Sequence, residues 1–209
     1  MELAHGFPVS AASRKSEYSM KLLIASTTAA VLALGASTPS SADTYADLQA
    51  GTLTGALIVQ WLEPDVFLFL PDADRPLKFT RSNGDIITPG RMLTDGGSIP
   101  RPVWALRNYS PWGYAPAFIV HDWLFHIKQC KLENHADYDL QKAGIVMGEV
   151  IKTLMESGTT DKDPFTVNVM VTAVTSIFAQ GAWDNGDCIV APPAFDAAPL
   201  MEYVIDFGG

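Results

Sequence analysis

From residue 53 to 95 the apolar positions come in short runs broken by proline and glycine, and beyond residue 100 they recur with a helical period. Leu57-Ile58-Val59-Gln60-Trp61-Leu62 and Val66-Phe67-Leu68-Phe69-Leu70 are rich in β-branched and aromatic residues and are bounded by Pro64 and Pro71, which reads as two strands. Leu77-Lys78-Phe79-Thr80 alternates. Ser82-Asn83-Gly84-Asp85 is a turn signal of the Asn-Gly kind, so residues 76–81 and 85–88 are expected to form a hairpin. Pro89-Gly90 then separates Arg91-Met92-Leu93-Thr94 from it.

Pro100 to Arg107 suits one short helix with prolines near its start. A second is predicted from about Tyr114 to Lys128. A third is predicted from about His135 to Ser157, with Asn134 as N-cap and Gly158 as stop. Asp163-Pro164 opens a fourth, Phe165 to about Trp183, apolar on nearly every face and so expected to be buried. From Asp184 onward the tail is rich in Gly, Pro, Ala and Asp and is expected to be irregular. Strands first and helices after make an α+β fold: antiparallel strands over about 53–95, then three to four helices, with the His-Asp helix packed on the one after it.

Polar residues interrupt this pattern at few places. The third helix carries the stripe Leu140, Gly144, Met147, Ile151, Leu154, and one further step back gives Asp137. A carboxylate on a buried stripe is costly unless it is paired or holds a cation. Gly144 and Gly148, one turn apart, would let a neighbouring helix approach closely. On the second helix Phe118, Asp122 and Phe125 share a face, with His121 beside them. Between the last strand and the first helix stands Thr94-Asp95-Gly96-Gly97-Ser98-Ile99-Pro100, where two glycines permit a sharp turn. Asp95 offers a carboxylate and Ser98 a hydroxyl, although Ser98 is equally suited to capping a helix.

The chain has 209 residues, 48% hydrophobic and 18% charged, a globular profile. Asp and Glu outnumber Lys and Arg by 23 to 14, and no basic run is present, which argues against a nucleic-acid partner. Met20-Lys21, the apolar run Leu22 to Ala36 and the small-residue exit Ser40-Ser41-Ala42 describe a secretory signal peptide. Residues 1–19 then read as an over-long start. Cleavage after Ala42 leaves Asp43 as the first residue of a single globular domain, 43–209, in the periplasm or outside the cell, with no stable membrane span. An uncleaved anchor is the alternative. In an oxidising compartment Cys130 and Cys188 are free to pair, but their spacing does not fix whether they meet.

The order of motifs resembles a known family. Ile87-Thr88-Pro89-Gly90, then Thr94-Asp95-Gly96-Gly97-Ser98-Ile99-Pro100-Arg101 with Trp104, then His121-Asp122-Trp123-Leu124-Phe125, then Ala136-Asp137 resembles the bacterial and phage family called domain of unknown function 1353. The likeness covers about residues 53–183. Phe125 stands where the family usually has Tyr. The family has no assigned reaction, so the resemblance implies a shared site and not a named activity.

A second, local likeness concerns the site alone. Secreted calcium-dependent phospholipases use a His-Asp helix facing a helix with a second Asp. By that analogy His121 is the base for a water, Asp122 binds calcium and Asp137 orients the imidazole. A neutral imidazole takes a proton near pH 7, and its other nitrogen needs an acceptor to fix the tautomer. A hard divalent cation such as calcium wants oxygen ligands, which Asp122 and Asp95 would supply. The leading expectation is therefore a hydrolase, metal-assisted or using a His base, with His121 and Asp137 catalytic. One alternative is a non-enzymatic binding or assembly protein of phage origin whose His/Asp cluster is structural. Another has Ser98 as nucleophile and His121 as base, without the Gly-x-Ser-x-Gly elbow that normally holds such a serine. Substrate and protein partner are not legible.

Overall fold

The structure, a computed structural model, describes residues 44–63, 66–95, 111–195 and 198–208. The signal-like run at 22–36, the helix expected at 100–107 and Ser98 lie outside the described residues. After a single helical turn, α1 (Thr44–Asp47), the chain forms six strands. These are β1 (Thr52–Thr54), β2 (Ala56–Glu63), β3 (Val66–Pro71), β4 (Lys78–Thr80), β5 (Ile86–Ile87) and β6 (Met92–Thr94). A 3-10 turn (Pro111–Tyr114) leads into α2 (Ala115–Cys130), followed by α3 (Leu140–Glu156), α4 (Pro164–Val174) and α5 (Ile177–Asn185). A last strand, β7 (Met201–Asp206), closes the order. The α+β reading holds.

Two antiparallel sheets result, β1-β4-β5 and β6-β3-β2-β7. The expected hairpin is present, with Phe79 opposite Ile87 and the Asn83 side chain bonded to Asp85 in the turn. The chain passes from one sheet to the other at Gly55. Its φ of +86° and the 2.2 Å that a Cβ would leave to the Pro76 carbonyl oxygen admit only glycine there. Alternation along β2 and β3 sends Leu57, Val59 and Phe69 into the core, with Met92 of β6 beside them.

The stripe read from α3 is buried throughout: Leu140, Gly144, Met147, Ile151 and Leu154. The two glycines do admit a close neighbour. A Cβ at 144 would lie 2.2 Å from Thr175 Cγ2, and one at 148 would lie 2.8 Å from Val171 Cγ2 and 2.7 Å from Leu48 Cδ1. A buried ion pair ties the smaller sheet to α3. Arg81, just after β4, donates from Nε to Glu149 Oε2 at 2.7 Å and from Nη2 to Oε1 at 3.0 Å.

Three expectations need correction. The third helix begins at Leu140, not near His135. Asn134, with φ of +67°, and the bonds His135 N to Leu132 O and Asp137 N to Asn134 O close a turn first. Asp139 then caps the helix by accepting from Lys142 N at 2.7 Å. The fourth helix is two helices bent by 50°, because Ser176 caps a new one through Ala179 N. Nor is it buried all round: Phe165, Ile177 and Phe178 are 70%, 83% and 85% exposed. Among the described residues no single helix is long and apolar enough to cross a membrane. Finally, the tail does not stay irregular. β7 pairs antiparallel with β2, Ile58 opposite Val204. Cys130, at the end of α2, forms a disulfide with Cys188, with Cα atoms 4.6 Å apart.

Candidate functional site

The site is built where α2 crosses the end of β6 and packs on α3. Two elements of the sequence pattern arrange this. Pro116 near the helix start lets α2 begin directly after the 3-10 turn, and Lys131, in the left-handed region, ends it. Gly90 meets the Trp123 indole: a Cβ at 90 would sit 2.7 Å from the ring. The segment between β5 and β6 therefore passes close against α2 at Trp123. Trp123 in turn stacks on His126, centroids 5.2 Å apart at 22°.

His121 is 1% exposed. Its Nδ1 lies 3.3 Å from the carbonyl oxygen of Ala143 on α3. A carbonyl oxygen only accepts, so Nδ1 carries the proton and Nε2 presents its lone pair. That Nε2 is buried and has no hydrogen-bond partner among the described residues. The ring packs on Phe125 at 5.0 Å, which meets Trp183 edge-on at 4.8 Å. Phe125 thus serves as an apolar wall. Burial lowers the His121 pKa to about 4, the Ala143 bond pulling slightly the other way. The imidazole is neutral throughout the physiological range.

Asp122 is half-buried, and its Oδ2 accepts a hydrogen bond from the Thr94 hydroxyl at the end of β6. Burial raises its pKa well above the usual carboxylate range, the neighbouring Asp95 charge adds to this, and the Thr94 bond opposes it. Two adjacent residues of α2 are therefore displaced in opposite directions: the imidazole toward its neutral form and, beside Asp95, the Asp122 carboxyl toward its protonated form.

Of the residues expected at the site, Asp122 and Asp95 come together at the end of β6, while His121, next to Asp122 in the chain, turns its ring to α3 and Phe125. Asp137 does not join them. It lies exposed in the turn before α3, its carbonyl oxygen accepting from Lys142 Nζ at 2.9 Å, and the acceptor that fixes the His121 tautomer is the Ala143 carbonyl instead. The physical reason is the late helix start, which takes Asp137 off the buried stripe. Ser98 lies outside the described residues. Thr94 and the Ala143 carbonyl are partners that pattern reading missed; a strand-end threonine and a backbone oxygen carry no hydropathy signal. Among the described residues no group of three or more His, Cys, Asp or Glu side chains could hold a metal ion. A divalent cation would find two carboxylates, Asp95 and Asp122.

The two displaced groups impose opposite pH dependences. In the unfolded chain His121 binds a proton below 6.5 that the folded protein refuses until about 4. Its contribution to stability is complete above 6.5 and is lost as the pH falls to about 4, by about 3 kcal/mol. Asp122 is raised, so its contribution is complete below 3.8 and is lost as the pH rises through its folded pKa. Asp122→Asn removes only the second slope. Its melting temperature should gain steadily on the parent's as pH rises from about 4 toward 8. Melting curves that keep a constant separation over that range would contradict the assignment.

No curated protein and no solved structure matches the chain. The family likeness spans less than the 53–183 expected from the motifs, leaving out β1 to β3 and the α4–α5 pair. Residues 73–160, which include Thr94, Asp95, His121, Asp122 and Ala143, match the family model described as protein of unknown function DUF1353, so the resemblance holds over the stretch that builds the site.

Proposed function

We propose that the protein is an exported hydrolase whose acid–base pair is His121 and Asp122. One observation carries the reading: the buried Nε2, unpartnered among the described residues, of a histidine whose other nitrogen is anchored to the Ala143 carbonyl. A histidine kept only for packing would have both nitrogens satisfied, because an unmade buried hydrogen bond costs about 1–3 kcal/mol. The Nε2 lone pair is the acceptor of this ring, and a water or substrate hydroxyl that reaches it would donate to it. Asp122, displaced toward its protonated form, is suited to return a proton to a leaving group. Neighbouring groups with pKa values pushed apart are how one site supplies base and acid together. The signal-like segment at 20–42 and the Cys130–Cys188 disulfide support export to the periplasm or beyond.

A second reading has its own observation. The Thr94–Asp122 and His121–Ala143 bonds join α2 to β6 and to α3, as a structural polar network in a phage-derived assembly protein would. One screen separates the two. The secreted protein is assayed on lipid, peptidoglycan and phosphoester substrates, with and without calcium or zinc. The hydrolase reading expects turnover of one class that His121→Ala reduces at least about 100-fold while the variant stays folded. Ser98→Ala in the same assay distinguishes a serine nucleophile from an attacking water, and Asp137→Asn is expected to be without effect. Turnover of no class, or equal turnover by His121→Ala, would leave the assembly reading.

A further inference from the structure

A cavity lies away from His121, on the face of the larger sheet opposite the core. Register places Gln60 of β2 opposite Leu68 of β3, and Leu68 opposite Leu93 of β6. Leu62 and Arg91, two residues along their own chain segments, extend the same face. Residues 193–195 and 198–199, ahead of β7, supply the facing wall, Phe195 and Pro199 among them. This open cleft offers about 330 Å³, large enough for a small organic molecule.

Arg91 lines this cavity, and no carboxylate among the described residues pairs with it. Of the three described arginines, Arg75 pairs with Asp72 and Asp206, and Arg81 pairs with Asp85 and Glu149. The hydrogen bond of Arg91 goes from Nη2 to the Pro192 carbonyl oxygen at 2.6 Å, and its Nε is buried with no partner among the described residues. In a chain of net charge −9 a cation at a cavity wall that no described carboxylate pairs is conspicuous, and the buried Nε–H represents a hydrogen bond not yet made.

We propose that this cavity binds a small organic carboxylate, the carboxylate on the Arg91 guanidinium and the apolar body between Leu62, Phe195 and Pro199. The planar fork of arginine matches a carboxylate in two parallel hydrogen bonds. One positive charge balances one negative charge. A phosphate dianion would add surplus negative charge to an acidic protein and would make no use of the apolar walls.

The test monitors arginine Nε–H resonances and backbone amides of the full secreted protein by NMR. Probes are benzoate and hexanoate, with benzamide as neutral isostere and inorganic phosphate as bare anion. Benzoate or hexanoate should shift the Arg91 Nε–H and the Phe195 amide saturably, whereas benzamide and phosphate at equal concentration should not. Arg91→Gln should weaken benzoate binding at least about tenfold. Ala194→Trp, at an exposed lining position, should fill the cavity and abolish binding without touching Arg91, which keeps the test decisive if Arg91→Gln unfolds. Absence of a saturable shift with either carboxylate, an equal response to benzamide or phosphate, or undiminished binding in Arg91→Gln or Ala194→Trp would overturn the proposal. His121→Ala should bind benzoate as the parent does, since the two sites share no residue.

Discussion

Arg81→Met should lower the free energy of unfolding by about 3–5 kcal/mol, more than any other single change to a charged residue of this fold. The side chains of Arg81 and Glu149 are only 10% and 8% exposed, and the guanidinium meets the carboxylate through two parallel bonds. Removing the cation strands a carboxylate on α3 with no water to solvate it. Asp85, at 3.1 Å from Nη1, is exposed and loses little. The cost is therefore one of desolvation left unanswered, and it should vanish when both charges go. Arg81→Met combined with Glu149→Leu is expected to lie within about 1.5 kcal/mol of the parent, since well-packed apolar groups replace a buried pair at little net cost. Urea unfolding of the two single variants and the double variant measures this. A loss below about 1 kcal/mol in Arg81→Met would place the pair among ordinary surface contacts.

Removing the disulfide should cost a similar amount by a different route. Cys130 and Cys188 are 58 residues apart, and closing a loop of that length restricts the unfolded chain by about 4 kcal/mol at 25 °C. The paired variant Cys130→Ser/Cys188→Ser, or the parent in reductant, should unfold at correspondingly lower urea. The loop contains α3, α4 and α5, so the crosslink fastens the end of α2 to the chain just after the last helix. It also anchors one end of the tail that walls the Arg91 cavity; β7 on β2 anchors the other. Unchanged unfolding in reductant would show that the two cysteines do not constrain the chain.

The strands and the two central helices are legible in the sequence because each buries one regular face. The α3 stripe at steps of three and four, and the Asn-Gly hairpin, have a period or a turn chemistry that local sequence reports. Asp137 is misplaced by the pattern because both Asn134 and Asp139 are N-cap residue types, and only the packing of α3 selects the second. The break at Ser176 does have a signal, a serine that caps the next helix, but the apolar composition on both sides outweighs it. β7 leaves none: as an edge strand it is exposed on most positions and so lacks alternation, and its partner β2 lies far back in the chain. At the site, His121 and Asp122 stand out as polar residues on an inward face. Their partners do not, since a carbonyl oxygen has no residue identity and Thr94 resembles any strand-end threonine.

The proposed chemistry stands on the protonation state of one imidazole, and long-range proton–nitrogen NMR of His121 reads it directly. The signals of a neutral ring protonated at Nδ1 and bare at Nε2 should persist from pH 8 down through 6.5, with titration only near 4. A proton found on Nε2, or titration at the ordinary value near 6.5, would contradict a buried base with an open lone pair, and with it the acid–base site.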